Sequence, residues 1–161
     1  MEFISMLFDV WAISTLMLVI VMWFYGLIPA LWRLGNGLVR KKIVIYAKGD
    51  NASDLEKLVK DLKIFKGEIA ISRSENSFGD GEDADIHIIR WIDFKSFLKE
   101  ILQKKKKNSS LIVYCPKSDG FVDDESMNII NSKENAVLVQ FRGRLLNDII
   151  ISLITTSYEK R

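Results

Sequence analysis

The sequence predicts an α/β protein, in which one N-terminal transmembrane helix precedes a small five-stranded parallel sheet. Three observations predict this fold class. An uncharged N-terminal stretch is long enough to cross a bilayer. Several later runs are apolar at consecutive positions, as in strands buried on both faces. Stretches with helical periodicity alternate with those runs, which is typical of a parallel sheet covered by helices.

The first element covers residues 10–32, which contain no charged side chain. As a helix it is about 34 Å long at about 1.5 Å per residue, and a bilayer core is about 30 Å thick. Glu2 and Asp9 precede it, whereas basic residues follow it: Arg33, Arg40, Lys41 and Lys42. The positive-inside rule then predicts a single-pass protein of the inner (plasma) membrane, with the N-terminus outside and the C-terminal domain in the cytoplasm. A cleaved signal peptide and a buried helix of a soluble core are the alternatives.

The chain is predicted to have three parts. Residues 1–34 form the short N-terminus and the transmembrane helix, residues 35–42 a glycine-containing basic neck, and residues 43–161 a cytosolic Rossmann-like α/β domain. Gly35-Asn36-Gly37 predicts a flexible break in the neck. The basic residues 40–42 are expected to contact anionic lipid.

Five strands are predicted in the domain, at residues 43–47, 68–72, 85–91, 111–115 and 136–141. A capping box formed by Ser53 and Glu56 predicts a helix over 53–62 between the first two strands. Residues 73–84 lack a helical period and are predicted to form a loop where a second helix is expected. Right-handed crossovers between the strands predict the flavodoxin-like order 2-1-3-4-5.

Three further helices are predicted. Asp93 is expected to cap the first of them. Its apolar face consists of Phe94, Phe97, Leu98, Ile101 and Leu102, and it ends in the lysine run 104–107. That run is interpreted as a solvated helix end rather than a nucleic-acid patch, because no aromatic residues interleave with it. A short helix is predicted around 127–130. The last helix is predicted from 144 to about 158, with Leu146, Ile149, Ile150, Leu153 and Ile154 on its apolar face.

A ligand site is predicted beyond the carboxyl ends of the strands, where sheets of this order bind ligands. Every one of the five strand ends is followed by a cation, and helix N-termini at the same edge add partial positive charge. The predicted ligand-binding residues are Lys48, Gly49, Asp50, Arg73, Arg90, Lys117, Arg142, Gly143 and Arg144. They favour an anionic, nucleotide-like ligand. The alternative is that they are ordinary surface cations of a chain that has 23 lysines and arginines.

The remaining reactive residue types predict no catalytic site, no metal site and no cofactor. The single histidine, His87, falls inside a strand and is interpreted as a core residue, and the single cysteine, Cys115, as a packed thiol. The acidic residues between 119 and 125 lack the spacing of a calcium loop and are interpreted as solvated. One cysteine excludes an intramolecular disulfide. A net charge of +2 does not indicate a nucleic-acid partner.

The run 43–50, Ile-Val-Ile-Tyr-Ala-Lys-Gly-Asp, with the helix predicted after it, resembles the opening strand and first helix of TIR-like domains. The pattern of about 115 residues is also similar to the Rossmann-like CARF domains, which bind cyclic oligonucleotides. Membrane-anchored domains of this general kind occur as effectors in bacterial antiviral defence. TIR enzymes that cleave NAD use a helical glutamate, and Glu100 is the loosely comparable residue here, without an assigned catalytic role.

Together these features predict a membrane-anchored sensor or effector. Its cytosolic domain is expected to bind the anionic ligand, to self-associate and to act at the membrane. The expected partners are the lipid bilayer, the ligand, and a second copy or another membrane protein. A TIR-like NAD-hydrolysing enzyme and a non-catalytic subunit that docks a membrane partner through its apolar last helix are the alternatives.

Overall fold

The computed structural model describes residues 2–63, 65–74, 81 and 83–156. The chain forms two compact units, Met1–Gly35 and Asn36–Arg161. Within the described residues, one helix, α1 (Glu2–Arg40), is long and apolar enough to span a membrane, over Val10–Arg40. The most apolar 18-residue window of this part has a mean hydropathy of 2.0, and none of that window is buried by other parts of the protein. A signal sequence would meet the same criteria of length and composition.

The predicted flexible break in the neck is wrong, because α1 continues through Gly35, Asn36 and Gly37 to Arg40. Each glycine inside a helix costs about 1 kcal/mol relative to alanine. Contacts of the last turn offset that cost. Leu38 packs against the core of the second unit, and its carbonyl oxygen accepts a hydrogen bond from the Lys66 N–H at 2.7 Å.

The second unit contains the predicted five-stranded, all-parallel sheet, and its order β2-β1-β3-β4-β5 is confirmed. The strands are β1 (Lys42–Tyr46), β2 (Glu68–Ser72), β3 (Ile86–Arg90), β4 (Ser110–Tyr114) and β5 (Ala136–Val139). Val44 pairs with Ala70 on one side and with His87 on the other, so β1 lies between β2 and β3. All carboxyl ends therefore lie at one edge of the sheet and all amino ends at the opposite edge.

Helices cover both faces of the sheet, as the apolar strands predict. On one face, α2 (Gly49–Lys60) and α6 (Arg142–Thr155) pack against side chains such as Ile45 and Ile112. On the other face lie α3 (Trp91–Phe94), a 3-10 turn (Lys95–Phe97), α4 (Leu98–Lys104) and α5 (Asp124–Asn131). They enclose a second apolar core around Val44, Leu111 and Val113. The predicted loop 73–84 falls partly on residues 75–80 and 82, which lie outside the described residues.

Two predicted helix starts are wrong. α2 begins at Gly49 rather than Ser53, and α3 begins at Trp91, so Asp93 lies in its first turn instead of capping it. The physical reason is one contact between the two helices. The Asp93 carboxylate accepts hydrogen bonds from the Lys48 N–H at 2.9 Å and from Asn51 Nδ2 at 3.1 Å. Gly49, with φ +52°, turns the chain directly after β1 into the helix.

The apolar face of α6 is shifted by one residue from the prediction. Leu145, Ile149, Ser152 and Leu153 are buried, whereas Ile154 is largely exposed. Ser152 interrupts the apolar residues of this face, and its hydroxyl lies 2.8 Å from the Ser110 hydroxyl at the start of β4. The helix ends at Thr155, and the predicted end near residue 158 lies outside the described residues.

Candidate functional site

The carboxyl edge of the sheet carries the nine predicted ligand-binding residues, but the structure separates them into groups. Neighbouring strands are about 4.8 Å apart, so β2 and β5 are roughly 19 Å apart. Arg73 follows β2, Lys48, Gly49 and Asp50 follow β1, Arg90 ends β3, Lys117 follows β4, and Arg142, Gly143 and Arg144 follow β5. A ligand the size of one nucleotide contacts only part of this edge.

The point between β1 and β3 is already occupied by a carboxylate of the protein. Asp93 binds the amide at the start of α2, as described above. The Lys48 ammonium lies 5.4 Å from the centroid of the Phe94 ring, on the side of α3. A second anion at this point meets repulsion from Asp93. Lys48, Gly49 and Asp50 therefore surround a position that the protein fills with its own negative charge.

Arg90 is engaged in an ion pair that sequence reasoning missed. Its Nε lies 2.8 Å from Asp119 Oδ2, and its Nη2 donates to Asp119 Oδ1 at 3.0 Å. The two side chains are only 14% and 7% exposed, and the guanidinium carbon lies 5.0 Å from the centroid of the Tyr114 ring. The Nη2 contact is a charge-assisted hydrogen bond, and the ion pair joins the end of β3 to the 3-10 turn after β4 (Lys117–Asp119). The Arg90 guanidinium thus already contacts a carboxylate of the protein.

The acidic segment 119–125 is not uniformly solvated, which corrects its interpretation. Asp119 is nearly buried against Arg90. Asp123 is the N-cap of α5 and accepts a hydrogen bond from the Ser126 N–H at 2.8 Å, which lowers the pKa of its carboxyl group. Glu125 pairs with Lys99 at 2.7 Å on the surface. Within the part of the chain that the structure describes, no three His, Cys, Asp or Glu side chains form a group suited to a metal ion.

The end of β5 carries an exposed group of three predicted residues. Arg142, Gly143 and Arg144 form the exposed first turn of α6, and no described side chain caps that turn. The Lys117 ammonium lies 5.4 Å from the centroid of the exposed Phe141 ring. Arg144 lies 3.5 Å from Asp148, and none of the described carboxylates pairs with Arg142. A Cβ at Gly143 would meet no atom within 4 Å, so this surface is open.

Arg73 and the glutamate noted in the sequence lie apart from this group. Arg73 is exposed beyond β2, at the far side of the sheet. Glu100 lies on α4, where its carboxylate is 3.1 Å from the Lys104 ammonium in a partly exposed ion pair. α4 ends at Lys104, just before β4 begins, so Glu100 lies toward the amino edge of the sheet.

His87 is a core residue, as predicted. Its Nδ1 lies 3.3 Å from the Tyr46 hydroxyl, and the two rings are stacked with centroids 6.0 Å apart. Burial, then the charge of Lys105, lowers its pKa to about 4, while a backbone hydrogen bond at Ala84 acts in the opposite direction. His87 is therefore neutral at pH 7. Its Nε2 has no hydrogen-bond partner among the described residues.

Cys115 is a packed thiol, also as predicted. Its Sγ lies 3.6 Å from the Gly120 carbonyl oxygen. Burial, then the negative charge of Asp119, raises the pKa of the thiol, against the influence of Arg90. A thiol with a raised pKa is a poor nucleophile at neutral pH.

Lys41 is the residue that sequence reasoning placed wrongly. It was expected at the lipid surface, but it is 2% exposed. Its ammonium donates hydrogen bonds to the carbonyl oxygen of Leu153, at 2.8 Å, and to the carbonyl and hydroxyl oxygens of Thr156. Burial lowers the pKa of Lys41, and Asp85 opposes that shift. The alternation of side chains along β1 could have indicated this burial, because it places Lys41 on the same face as Ile43 and Ile45.

No protein-family model matches the chain, and no curated protein matches it in sequence. The candidate site is therefore described from the positions and contacts of its own residues. The first turn of α6, together with Lys117 and Phe141, can bind an anion with an aromatic part, and the opposite end of α6 is bound by Lys41.

Proposed function

We propose that the protein is a membrane-anchored sensor whose α/β domain binds an anionic, nucleotide-like ligand at the first turn of α6. The observation that carries this proposal is the position of α6. Its first turn presents Arg142 and Arg144 at the carboxyl edge. Its last carbonyl groups accept hydrogen bonds from Lys41, which directly follows the membrane helix α1.

The chemistry of the first turn fits a phosphate group joined to an aromatic base. Arginine binds phosphate through paired N–H donors, and the first amides of a helix have no partner within the helix. Phe141 and Phe121, which follow β5 and β4, are 57% and 90% exposed. Exposed aromatic rings stack with bases at about 1–3 kcal/mol each. The site therefore combines charge for the phosphate with an apolar surface for the base.

The last helix offers a physical connection between this site and the membrane helix. At about 1.5 Å per residue, its 14 residues extend about 21 Å. A ligand that shifts the first turn also displaces the carbonyl groups that hold Lys41. One residue, Lys41 itself, separates the end of α1 from the start of β1, so little slack exists between them. Ligand binding is thereby coupled to the end of the membrane helix.

The charges around residues 10–32 support a cytoplasmic location for the ligand-binding domain, by the positive-inside rule. Self-association is also part of the proposal. Ile151 is 54% exposed on the outer surface of α6, and Ile154 lies near it. An apolar surface of this kind on a helix favours contact with a second copy.

Titration of the full chain in lipid nanodiscs tests ligand binding. Cyclic dinucleotides, cyclic trinucleotides and NAD are suitable probes, with heat or a shift in melting temperature as the readout. We expect saturable binding of at least one probe, and its loss in the double variant Arg142→Ala/Arg144→Ala. Lys60→Ala is the matched control, because its side chain is exposed and pairs with Glu56 within α2. Absence of binding of every probe contradicts the proposal.

A further inference from the structure

The amino edge of the sheet is the place where the chain enters the second unit. Backbone hydrogen bonds align the segments that precede the strands. The Glu68 and Asp85 N–H groups donate to the carbonyl oxygens of Lys41 and Lys42, at 3.2 and 2.9 Å. The Ser110 N–H donates to Asp85 at 2.8 Å. The loops before β2 and β3 therefore contact the start of β1, and the loop before β4 contacts the loop before β3.

Two loops that contain lysine form part of this edge. Lys105 to Lys107 follow Lys104, the last residue of α4, and lead toward β4, whereas Lys133 lies between α5 and β5. The second loop adjoins the first, because the Leu111 N–H donates to the Asn135 carbonyl oxygen at 2.8 Å. A shallow cleft of about 350 Å³ lies between them, lined by Leu102, Lys105, Lys107, Ser132, Lys133 and Glu134. We call the residues Lys104 to Lys107 and Lys133 the amino-edge lysine face.

Among the residues that the structure describes, positive charge exceeds negative charge on this face. Lys106 pairs with Asp83 at 3.2 Å, and Lys104 pairs with Glu100 at 3.1 Å. Glu134 acts on Lys105, whose ammonium also experiences repulsion from Lys133. Lys107 and Lys133 are exposed, and none of the described carboxylates forms an ion pair with either of them. The amino-edge lysine face therefore attracts anions.

We propose that the amino-edge lysine face binds the anionic headgroups of the membrane in which α1 is anchored. The inference rests on the proposed membrane anchor. It does not depend on the ligand, whose site lies at the carboxyl edge. Since β1 begins two residues after α1 ends, the amino edge is the part of the sheet joined most directly to the membrane segment. Anionic lipid attracts clustered lysines within about a Debye length of the surface.

Two of the three neck residues that were expected at lipid make contacts within the second unit instead. Lys41 is buried in its contact with α6, and the Lys42 ammonium pairs with Glu68 at 3.2 Å. Nucleic acid is the competing occupant of a lysine face, but base stacking requires aromatic side chains. The described residues that line the cleft include none. The charge and the chain connectivity thus favour lipid.

Limited trypsin digestion of the full chain in nanodiscs tests this inference. Neutral phosphatidylcholine discs are compared with discs that also contain phosphatidylglycerol. Each lysine near anionic lipid contributes a factor of about five in affinity, so we expect cleavage at residues 104–107 to be at least about fivefold slower in the anionic discs. Cleavage at Arg142 and Arg144 serves as the internal reference and is expected to be equal in both. High salt removes the protection, because it screens the charges.

The variant Lys107→Gln/Lys133→Gln is expected to lose most of the protection at the remaining lysines. The matched control Lys95→Gln/Lys99→Gln removes the same charge from exposed positions outside this face and is expected to retain the protection. Equal cleavage rates in the two discs, with α1 inserted, overturn the inference, as does protection by single-stranded DNA in neutral discs without protection by anionic lipid. If alkaline carbonate extracts the chain from the discs, the membrane anchor itself is overturned, and this inference with it.

Discussion

The ammonium group of Lys41 donates a hydrogen bond to the carbonyl oxygen of Leu153 at 2.8 Å. Lys41 lies between α1 and β1, and Leu153 lies in the last turn of α6. The contact places a buried positive charge at the negative end of a helix dipole. It therefore joins the segment after α1 to the helix whose first turn carries the candidate ligand site.

Replacing Lys41 by methionine removes this contact and retains most of the apolar stem. The last carbonyl groups of α6 are then buried without a donor, and we expect the free energy of unfolding to fall by about 2–3 kcal/mol. Urea denaturation of the full chain in detergent, followed by circular dichroism, measures the change. The control Lys60→Met, on the exposed surface of α2, is expected to leave the midpoint unchanged. A midpoint that is also unchanged in Lys41→Met would show that the contact contributes no stability.

His87 is expected to make the protein sensitive to mild acid. Its pKa is about 4 in the folded state, against an ordinary value of 6.5. Between these values the unfolded chain binds a proton that the folded chain does not, so the free energy of unfolding falls as the pH falls from about 6.5 to 4. The full loss is about 3 kcal/mol at 1.36 kcal/mol per pKa unit.

Denaturation of wild-type protein and of His87→Gln over this pH range measures the contribution. The variant is expected to lose less stability on acidification than the wild type. Tyr46→Phe, which removes the neighbouring hydroxyl and keeps the imidazole, is expected to retain the wild-type slope. Parallel pH profiles for wild type and His87→Gln would refute the prediction.

The Arg90–Asp119 pair is expected to stabilise the fold rather than bind ligand. Asp119→Leu leaves a largely buried guanidinium without its partner, at a cost of about 3 kcal/mol. Removing both partners in Arg90→Leu/Asp119→Leu is expected to cost less than the single change, because no unpaired charge remains. Glu125→Gln, which breaks an exposed pair with Lys99, is the control. Equal losses in the single and double variants would contradict this account.

Gly81 is expected to tolerate no side chain while Tyr46 is present. A Cβ at Gly81 would collide with the Tyr46 hydroxyl. We expect Gly81→Ala to cost about 1–3 kcal/mol of stability, as overpacking of a core usually does. The same change in a Tyr46→Phe background is expected to cost less, because the colliding oxygen is gone. A double-mutant cycle in urea gives the difference, and strictly additive costs would exclude the collision.

The sheet was predictable because the patterns that predict its strands lie within short stretches of the sequence. Runs such as 43–47 and 111–115 are apolar on both faces, and the alternation with helices leaves few topologies. The helix starts at Gly49 and Trp91 were not predictable in this way, since the group that binds the start of α2 is Asp93, 45 positions after Lys48. Capping rules consider only residues close together in the sequence and cannot predict such a contact.

The candidate site was predictable in position but not in composition. Parallel strands place all nine residues at one edge, as expected from the strand order. The sequence does not reveal that Arg90 is neutralised by Asp119 or that Asp93 fills the point between β1 and β3, because both contacts join residues far apart in the chain. The group around Arg142 is exposed, and none of the described carboxylates forms an ion pair with Arg142 itself.

Hydrogen–deuterium exchange of the full chain in nanodiscs, with and without a nucleotide probe that binds, tests the coupling most directly. α6 connects its first turn, where the ligand is proposed to bind, with the Lys41 contact at its opposite end. We therefore expect slower exchange at the first turn of α6 and a simultaneous change in exchange at residues 36–42. Changes confined to residues 141–145 would show that ligand binds without an effect at the end of α1, and would contradict the proposed coupling.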